Sequence, residues 1–180
     1  MEKQEIIKAA VDIARQKGWE KTSVREISKQ IGYSTIKIYS EFQGKDGLYQ
    51  AIQEKGFKML KKAYLNAINN VEEAEEQLVL LSKTHYQFAL DYSKYYELMF
   101  KMSGTNCDVK DKNIMFNASQ PIRDAIFNIC GKVDQTLFFN WWVIAHGFVV
   151  IVGNEPKIPK AKAEEMLSTM IENFVKAIKL

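Results

Sequence analysis

The sequence predicts an all-α protein. Only three of its 180 residues are proline and nine are glycine, and helix-favouring Lys, Glu, Ala, Leu and Met are frequent. Long alternating Val and Thr runs, which would indicate strands, are missing from the sequence. Apolar residues instead recur at helical spacing. We expect about nine helices, arranged as a three-helix domain over residues 1–48, a connecting helix over about 45–69 and a helical bundle over 70–180.

The first helix is predicted from about Lys3 to Lys17. Ile6, Ala10, Ile13 and Ala14 repeat at helical spacing within it. Gly18 follows at the position where a helix ends most readily. We expect Trp19, in the next turn, to lie in the core or at its edge.

Two short helices joined by a glycine turn are predicted between Ser23 and Leu48. Ser23 and Glu26 have the S-x-x-E spacing of a capping box, which starts a helix at about Val24. Gly32 ends that helix, and Ser34 can cap the next one. Ile38 and Phe42 lie four residues apart and must face inward, so hydroxyls, a cation and an aromatic ring face outward. This arrangement is a helix-turn-helix, whose second helix can enter the major groove of DNA.

The same stretch resembles the N-terminal domain of the tetracycline-repressor (TetR) family of transcriptional regulators. The resemblance is carried by Gly32-Tyr33-Ser34, Ile38-Tyr39, Phe42, Lys45 and Leu48, and upstream by Ala9-Ala10, Gly18, Thr22-Ser23-Val24 and Ile27. It covers about the first 50 residues and departs from the family pattern at Ile36 and Glu41. The resemblance implies a DNA-binding domain in which Thr22 reaches a phosphate.

We predict DNA contacts from the turn before the first short helix, from the outward face of the second and from the start of the connecting helix. Lys45 lies in the first turn of the connecting helix, where the helix dipole disfavours a cation. This position suggests an anion opposite Lys45, and a solvated lysine is the alternative. The predicted contacts are Thr22, Ser23, Arg25, Ser34, Thr35, Ile36, Lys37, Tyr39, Ser40 and Lys45.

Charge and cysteine content agree with a small DNA-binding domain attached to a neutral body. The net charge is only +3, but residues 1–62 carry 13 Lys and Arg against 8 Asp and Glu. Cys107 and Cys130 belong to no metal-ligand or redox motif, and we find no signal peptide and no apolar run of about 18 residues. We therefore expect a cytoplasmic protein that needs no cofactor or metal and is not an enzyme.

Aromatic residues with polar tips are concentrated after the connecting helix. Six aromatic residues fall between Tyr86 and Phe100. Aromatic and methionine side chains can form the wall of a small-molecule pocket, although they can equally fill a bundle core. The predicted ligand contacts are Phe88, Tyr92, Tyr96, Met99, Phe100, Phe116, Trp142 and His146.

A strongly apolar helix is predicted after Asp134, and its faces are nearly all hydrophobic, so we expect it to be buried on more than one side. Trp142 and His146-Gly147 within it, after YQFALDYSKYYELMF, resemble the Trp-His-Gly type of ligand-binding domain found in one branch of the same family. Trp142 and His146 are four residues apart and can stack or contact a ligand. A histidine satisfied within the core is the alternative.

The two last apolar helices predict a homodimer, because one small body cannot cover both of them. The resemblance implies a four-helix seam that places two recognition helices about 34 Å apart on a palindrome. The predicted seam residues are Phe138, Ala145, Phe148, Val149, Val152, Met166, Met170, Phe174 and Ile178.

The sequence thus predicts a repressor that binds DNA as a dimer and is released by a small, largely hydrophobic ligand. Two alternatives stay open. A helical carrier of hydrophobic molecules would use the same aromatic body, and a DNA-binding regulator with a solid body would have no inducer.

Overall fold

A computed structural model describes residues 2–100, 112–153, 155 and 157–179. The described chain is all-helical, as predicted, and contains ten helices. Their bounds are α1 Glu2–Lys17, α2 Val24–Ile31, α3 Thr35–Phe42, α4 Lys45–Ala67, α5 Ala74–Asp91, α6 Ser93–Met99, α7 Lys112–Ala118, α8 Gln120–Cys130, α9 Gln135–Val152 and α10 Lys160–Ile178. Cys130 is a free thiol, and Cys107 lies outside the described residues.

Two interruptions of the helical backbone separate α5 from α6 and α7 from α8. Tyr92 adopts φ −122° and ψ 40°, outside the helical region, and separates α5 from α6. Pro121 stands in the first turn of α8, where its missing N–H costs no helical hydrogen bond, and α7 ends just before it. The chain is therefore divided into two helices just before this proline.

The described residues form two compact units. The head unit lies within Met1–Lys58 and Tyr92–Ile114, and the body unit within Met59–Asp91 and Met115–Leu180. Helix α4 contributes residues to both units.

The head unit has a continuous apolar core. Side chains from α1, α2, α3, α4 and α6 meet in it, and Trp19, 2% exposed, packs against Tyr49 with ring centroids 5.1 Å apart. The Tyr49 hydroxyl donates to the carbonyl of Leu98 at 2.7 Å. This hydrogen bond satisfies a carbonyl near the end of α6 that has no partner within its own helix. The predicted burial of Trp19 is confirmed.

In the body unit, α5 packs against α8, α9 and α10. Two polar residues lie fully buried among the apolar ones. Ser82 accepts a hydrogen bond from the indole nitrogen of Trp141 at 2.8 Å, and His85 Nδ1 lies 2.5 Å from the Tyr64 hydroxyl. Buried polar groups of this kind are stabilising only when they are paired, and these are.

Helix α9 is less buried than the sequence predicted. Only 28% of its residues are buried in the described chain, and the buried ones are Trp141, Ala145, Phe148, Val149 and Val152. Phe139, Val143, Val150 and Ile151 are 61%, 52%, 45% and 76% exposed. At 100° per residue, Phe139, Val143 and Val150 fall on the side of the helix opposite the buried set, and Ile151 lies at the flank between the two sides. The expectation that α9 is buried on more than one side is therefore not met within one chain.

The same helix corrects the expectation that no apolar run of about 18 residues is present. Gln135–Val152 has 18 residues and a mean hydropathy of 1.5, which is long and apolar enough to cross a membrane by those two measures alone. Asn140 and His146 lie within this helix, but most of the residues around them are apolar. Core helices of water-soluble proteins meet the same two measures.

Candidate nucleic-acid interface

Local capping interactions define both ends of α2 and the start of α3. The Ser23 hydroxyl accepts a hydrogen bond from the backbone N–H of Glu26, and the Glu26 carboxylate accepts one from the backbone N–H of Ser23, which completes the capping box. Gly32 ends α2 with φ 72°, and the Ser34 hydroxyl caps α3 by accepting from the Lys37 N–H. These three sequence predictions are confirmed. These capping interactions determine where α2 begins and ends and where α3 begins.

The junction between α3 and α4 is fixed by backbone contact. Gln43 ends α3 with φ 59°, and Gly44 follows with φ 105°. A Cβ atom added to Gly47 would lie 1.7 Å from the carbonyl oxygen of Phe42. Only glycine therefore fits at position 47 while α4 begins this close to the end of α3.

Helix α3 presents the outward face that the sequence predicted. Ile38 and Phe42 are buried beneath it, while Ile36 is 78% exposed and Tyr39 is 56% exposed. Ser34 and Ser40 are exposed, and Thr35 and Lys37 are partly exposed. This face offers hydroxyls, a cation, a phenol and an apolar side chain, the groups that contact bases and phosphates in a major groove.

Two of the predicted contacts are instead held within the fold. Thr22 is only 2% exposed, and its hydroxyl donates to the carbonyl of Gly18 at 2.8 Å. The Ser23 hydroxyl donates to Glu26 at 2.8 Å while it also caps α2. Lys17 pairs with Glu26 as well, and these hydrogen bonds lower the pKa of Glu26 to about 2, with the Lys17 bond the larger cause. Thr22 and Ser23 therefore support the turn.

The remaining predicted contacts at the edge of this face are partly or fully exposed. Arg25, on α2, is exposed. Lys45, in the first turn of α4, donates to the carbonyl of Glu20 at 3.1 Å and lies 5.3 Å from the centroid of the Trp19 ring. These contacts account for a cation at a position that the helix dipole disfavours.

Glu41 of α3 forms ion pairs with two lysines, one on α1 and one on α3 itself. Its carboxylate lies 2.9 Å from Lys3 Nζ and 3.3 Å from Lys37 Nζ. The hydrogen bond from Lys3 and then that from Lys37 lower the pKa of Glu41, so this carboxylate is ionised at neutral pH. The Lys37 contact follows from the i, i+4 spacing. The Lys3 contact crosses 38 residues of chain, and no local pattern indicates it.

Comparison with known proteins agrees with this geometry. The family described as "Bacterial regulatory proteins, tetR family" matches residues 6–52, which contain α2, α3 and their turn. The chain carries a TetR-family N-terminal domain. A segment of 81 residues, 44% of the chain, is 35% identical to the probable HTH-type transcriptional regulator YttP of Bacillus subtilis (strain 168). The match spans 39% of that relative's length.

Solved structures resemble the whole chain in fold. A transcriptional regulator of the TetR/AcrR family from Thermobifida fusca YX-ER1 has a TM-score of 0.75 at 16% identity, with 96% of this chain and 97% of that chain covered. The transcriptional regulator FadR from Bacillus subtilis, in complex with stearoyl-CoA, has a TM-score of 0.73 at 16% identity, with 97% and 98% covered. At these identities the similarity establishes a shared fold alone: an N-terminal helix-turn-helix domain followed by a helical domain.

The residues predicted to contact a ligand are divided between the two units. Tyr92, Tyr96, Met99 and Phe100 belong to the head unit, and Phe88, Phe116, Trp142 and His146 to the body unit. In the head unit, Tyr96 and Met99 are buried, and the Phe100 ring lies 4.7 Å from the Tyr96 ring. Burial raises the pKa of the Tyr96 hydroxyl, so this phenol stays neutral.

In the body unit, the Trp142 and His146 rings stack with centroids 4.8 Å apart and planes 16° apart. The predicted shared face of these two residues is confirmed. Burial lowers the pKa of His146, which favours a neutral imidazole at neutral pH. Phe88 is 3% exposed, whereas Phe116 is 58% exposed.

His85, which no sequence pattern indicated, is the centre of a buried cluster in the body unit. Its ring lies 5.7 Å from each of the Trp141 and Trp142 rings, and burial lowers its pKa to about 3. Its hydrogen-bonding partner Tyr64 lies 21 residues away on another helix. No local spacing could have indicated this pair.

Proposed function

We propose that this protein is a transcriptional repressor that binds a palindromic operator as a homodimer and is released by a small, largely hydrophobic ligand. The observation that carries the proposal is the exposed face of α3 in a TetR-family domain. That face is fixed at one end by the Ser34 cap and at the other by the contact between Gly47 and the Phe42 carbonyl. The regulator would act in the cytoplasm.

The proposed DNA contacts are the predicted set without Thr22 and Ser23. Lys37 supplies a cation for phosphate or guanine, the Tyr39 and Ser40 hydroxyls are donors and acceptors, and Ile36 offers an apolar contact for a thymine methyl group. The full set is Arg25, Ser34, Thr35, Ile36, Lys37, Tyr39, Ser40 and Lys45.

The dimer seam that we propose differs from the predicted one. Ala145, Phe148, Val149, Val152 and Phe174 are at most 9% exposed and are buried within their own chain. Their burial leaves the exposed apolar residues of α9, with Met166 and Met170 of α10, as the apolar surface available to a partner. Phe138 and Ile178 are partly exposed. The proposed seam is Phe139, Val143, Val150, Ile151, Met166 and Met170.

A charged residue in this seam tests the dimer. Glutamate at position 151 would bury a carboxylate in each protomer, so we expect Ile151→Glu to weaken dimerisation by at least about tenfold. Sedimentation velocity across a concentration series measures this effect. Leu65→Glu is a matched control, because Leu65 is also an exposed apolar residue (48%) and lies outside the seam. Equal sedimentation of both variants and the unmodified protein would rule out this seam.

Release by a ligand follows from linkage. A ligand that binds better to the dimer when its two recognition helices are wrongly spaced must weaken DNA binding by the same factor by which DNA weakens ligand binding. The ligand contacts that we propose are those predicted from the sequence, namely Phe88, Tyr92, Tyr96, Met99, Phe100, Phe116, Trp142 and His146. Because FadR, a structural relative, is seen with stearoyl-CoA, long-chain acyl compounds are a reasonable first group of ligands to test.

Substitution of the outward face of α3 separates a regulator from a carrier. We expect Lys37→Ala with Tyr39→Ala to abolish specific binding to a fragment upstream of the protein's own gene, measured by fluorescence anisotropy, while the far-ultraviolet circular dichroism stays unchanged. Lys162→Ala removes a lysine from α10 as a control. A double variant that binds the fragment as well as the unmodified protein would contradict the proposed interface.

A further inference from the structure

A cavity opens in the body unit between α7, α8 and the start of α9. Its volume is about 890 Å³, within the range of pockets that hold drug-sized molecules. Most of its wall is apolar and aromatic, from Phe116, Phe127, Phe138 and Phe139. Arg123 lies among these rings. Of the residues predicted to bind a ligand, only Phe116 lines this cavity.

Arg123 is held in place on one side. Its guanidinium carbon lies 3.6 Å from the centroid of the Phe116 ring and 5.9 Å from that of Phe138. Nη1 donates to the Phe116 carbonyl at 2.7 Å and to the Ser119 hydroxyl at 2.5 Å. The Phe116 carbonyl belongs to the last turn of α7, where helical carbonyls have no partner of their own. These contacts fix the plane of the guanidinium against the aromatic wall.

The guanidinium of Arg123 has further N–H donors at Nε and Nη2. Nε and Nη2 make no hydrogen bond to any residue that the structure describes, and no described carboxylate forms an ion pair with Arg123. Burial lowers the pKa of Arg123 and Asp124 raises it, but an arginine remains protonated in proteins. A planar cation with two unused donor groups matches a carboxylate or a similar oxyanion.

The other charges around the cavity do not neutralise Arg123. Lys132 Nζ lies 3.8 Å from the Asp134 carboxylate, so these two residues offset each other, and Asp134 also caps α9. Asp124 is exposed, where water and salt screen its charge. The unmatched charge inside the apolar wall is therefore positive.

We propose that this cavity binds a small amphipathic anion: its acidic group pairs with the Arg123 guanidinium, and its apolar body lies on the phenylalanine rings. Only the regulatory consequence rests on the proposed function, because a ligand here would supply the signal that releases DNA. The site would add an acidic group to the small, largely hydrophobic ligand that the sequence predicts.

Two fluorescent probes that differ chiefly in one charged group test the site. 8-Anilinonaphthalene-1-sulfonate carries a sulfonate, and N-phenyl-1-naphthylamine is its neutral analogue. Both are titrated into the full-length protein at concentrations where it is dimeric, because Phe139 also begins the exposed face of α9. We expect Arg123→Gln to weaken binding of the sulfonate roughly 10- to 100-fold, the range expected for loss of a hydrogen bond to a charged group. Binding of the neutral probe should change less than about threefold.

Controls distinguish recognition of charge from a purely structural role of Arg123. Arg123→Lys keeps the cation and should recover part of the sulfonate affinity, and Lys162→Gln, which removes an exposed lysine of α10, should change neither affinity. Thermal melts confirm that each variant is folded. The proposal is overturned if the sulfonate does not bind the dimer, or if Arg123→Gln changes the affinities for both probes equally or changes neither.

This experiment separates the cavity from the regulatory function. Probe binding is measured without DNA, so a charge-selective site stands or falls independently of any operator. DNA binding that is lost in the presence of the sulfonate probe would connect the two. Failure of the unmodified protein to bind DNA would contradict the proposed function and leave the site intact.

Discussion

The buried hydrogen bond between Ser82 and Trp141 should contribute measurably to stability. Ser82 is fully buried, and its hydroxyl donates to the Leu78 carbonyl at 2.7 Å while accepting from Trp141 Nε1 at 2.8 Å. Trp141 is 1% exposed, so Ser82→Ala leaves a buried indole N–H that water cannot reach. An unsatisfied buried donor costs about 1–3 kcal/mol of unfolding free energy. At about 2–4 °C per kcal/mol for a chain of this size, the melting temperature should fall by roughly 2–12 °C.

A matched control removes the same helical hydrogen bond without affecting a tryptophan. Ser168 donates to the Glu164 carbonyl at 2.7 Å, as Ser82 does to Leu78, but it is only partly buried and accepts from no indole. We expect Ser168→Ala to change the free energy of unfolding by no more than about 0.5 kcal/mol. Urea unfolding followed by circular dichroism at one fixed protein concentration measures both variants, since the stability of a dimer depends on concentration.

A double-mutant cycle isolates the indole contribution. In a Trp141→Phe background no N–H is left to satisfy, so Ser82→Ala should then cost about as little as Ser168→Ala. The coupling free energy should be about 1 kcal/mol or more. The reasoning is refuted if Ser82→Ala is as mild as Ser168→Ala in the unmodified background, or if its cost is the same with phenylalanine at position 141.

Three further predictions follow from the described contacts. Gly47→Ala should destabilise the head unit by about 1–3 kcal/mol and weaken DNA binding, because its Cβ would meet the Phe42 carbonyl oxygen; urea unfolding and anisotropy measure the two effects. Glu41→Gln should tighten DNA binding severalfold and steepen the salt dependence of binding by about one unit of slope. The substitution removes a carboxylate near the phosphates and frees Lys37 from an ion pair. Weaker DNA binding by this variant would contradict the role given to Lys37. The His85 contribution to the free energy of unfolding should fall by about 2 kcal/mol between pH 7 and pH 5. The unfolded chain protonates His85 near pH 6.5, whereas the pKa of His85 in the folded protein is about 3. His85→Gln should remove this part of the pH dependence in urea titrations at both pH values.

The helices of the head unit could be predicted from the sequence because short-range capping interactions define their ends. Ser23, Glu26, Gly32 and Ser34 act on backbone groups within four residues of themselves, so their spacing alone predicts where α2 and α3 begin and end. The exposed side of α3 then follows from the i, i+4 pair of Ile38 and Phe42. The burial of Thr22 could not be predicted, because a hydroxyl that donates four residues back to Gly18 resembles a free hydroxyl in the sequence.

The buried side of the helices in the body unit was harder to predict from the sequence. Helix α9 is hydrophobic on nearly every side, so its periodicity cannot distinguish the side facing its own chain from the side left exposed. Five of the nine predicted seam residues, Phe174 of α10 among them, are consequently buried within the chain. Contacts between distant residues, such as Tyr64 with His85 and Glu41 with Lys3, leave no trace in local spacing.

Titration of the purified protein against a labelled fragment from upstream of its own gene tests the central claim most directly. The titration is done at 50 and at 200 mM salt, beside an unrelated fragment of equal length. We expect tight, saturable binding by a dimer that weakens about 10³–10⁵-fold between the two salt concentrations if some 6–10 phosphates are contacted. Weak binding that is equal on both fragments, with no preferred sequence in a genome-wide selection, would contradict a DNA-binding regulator and favour a carrier of hydrophobic molecules.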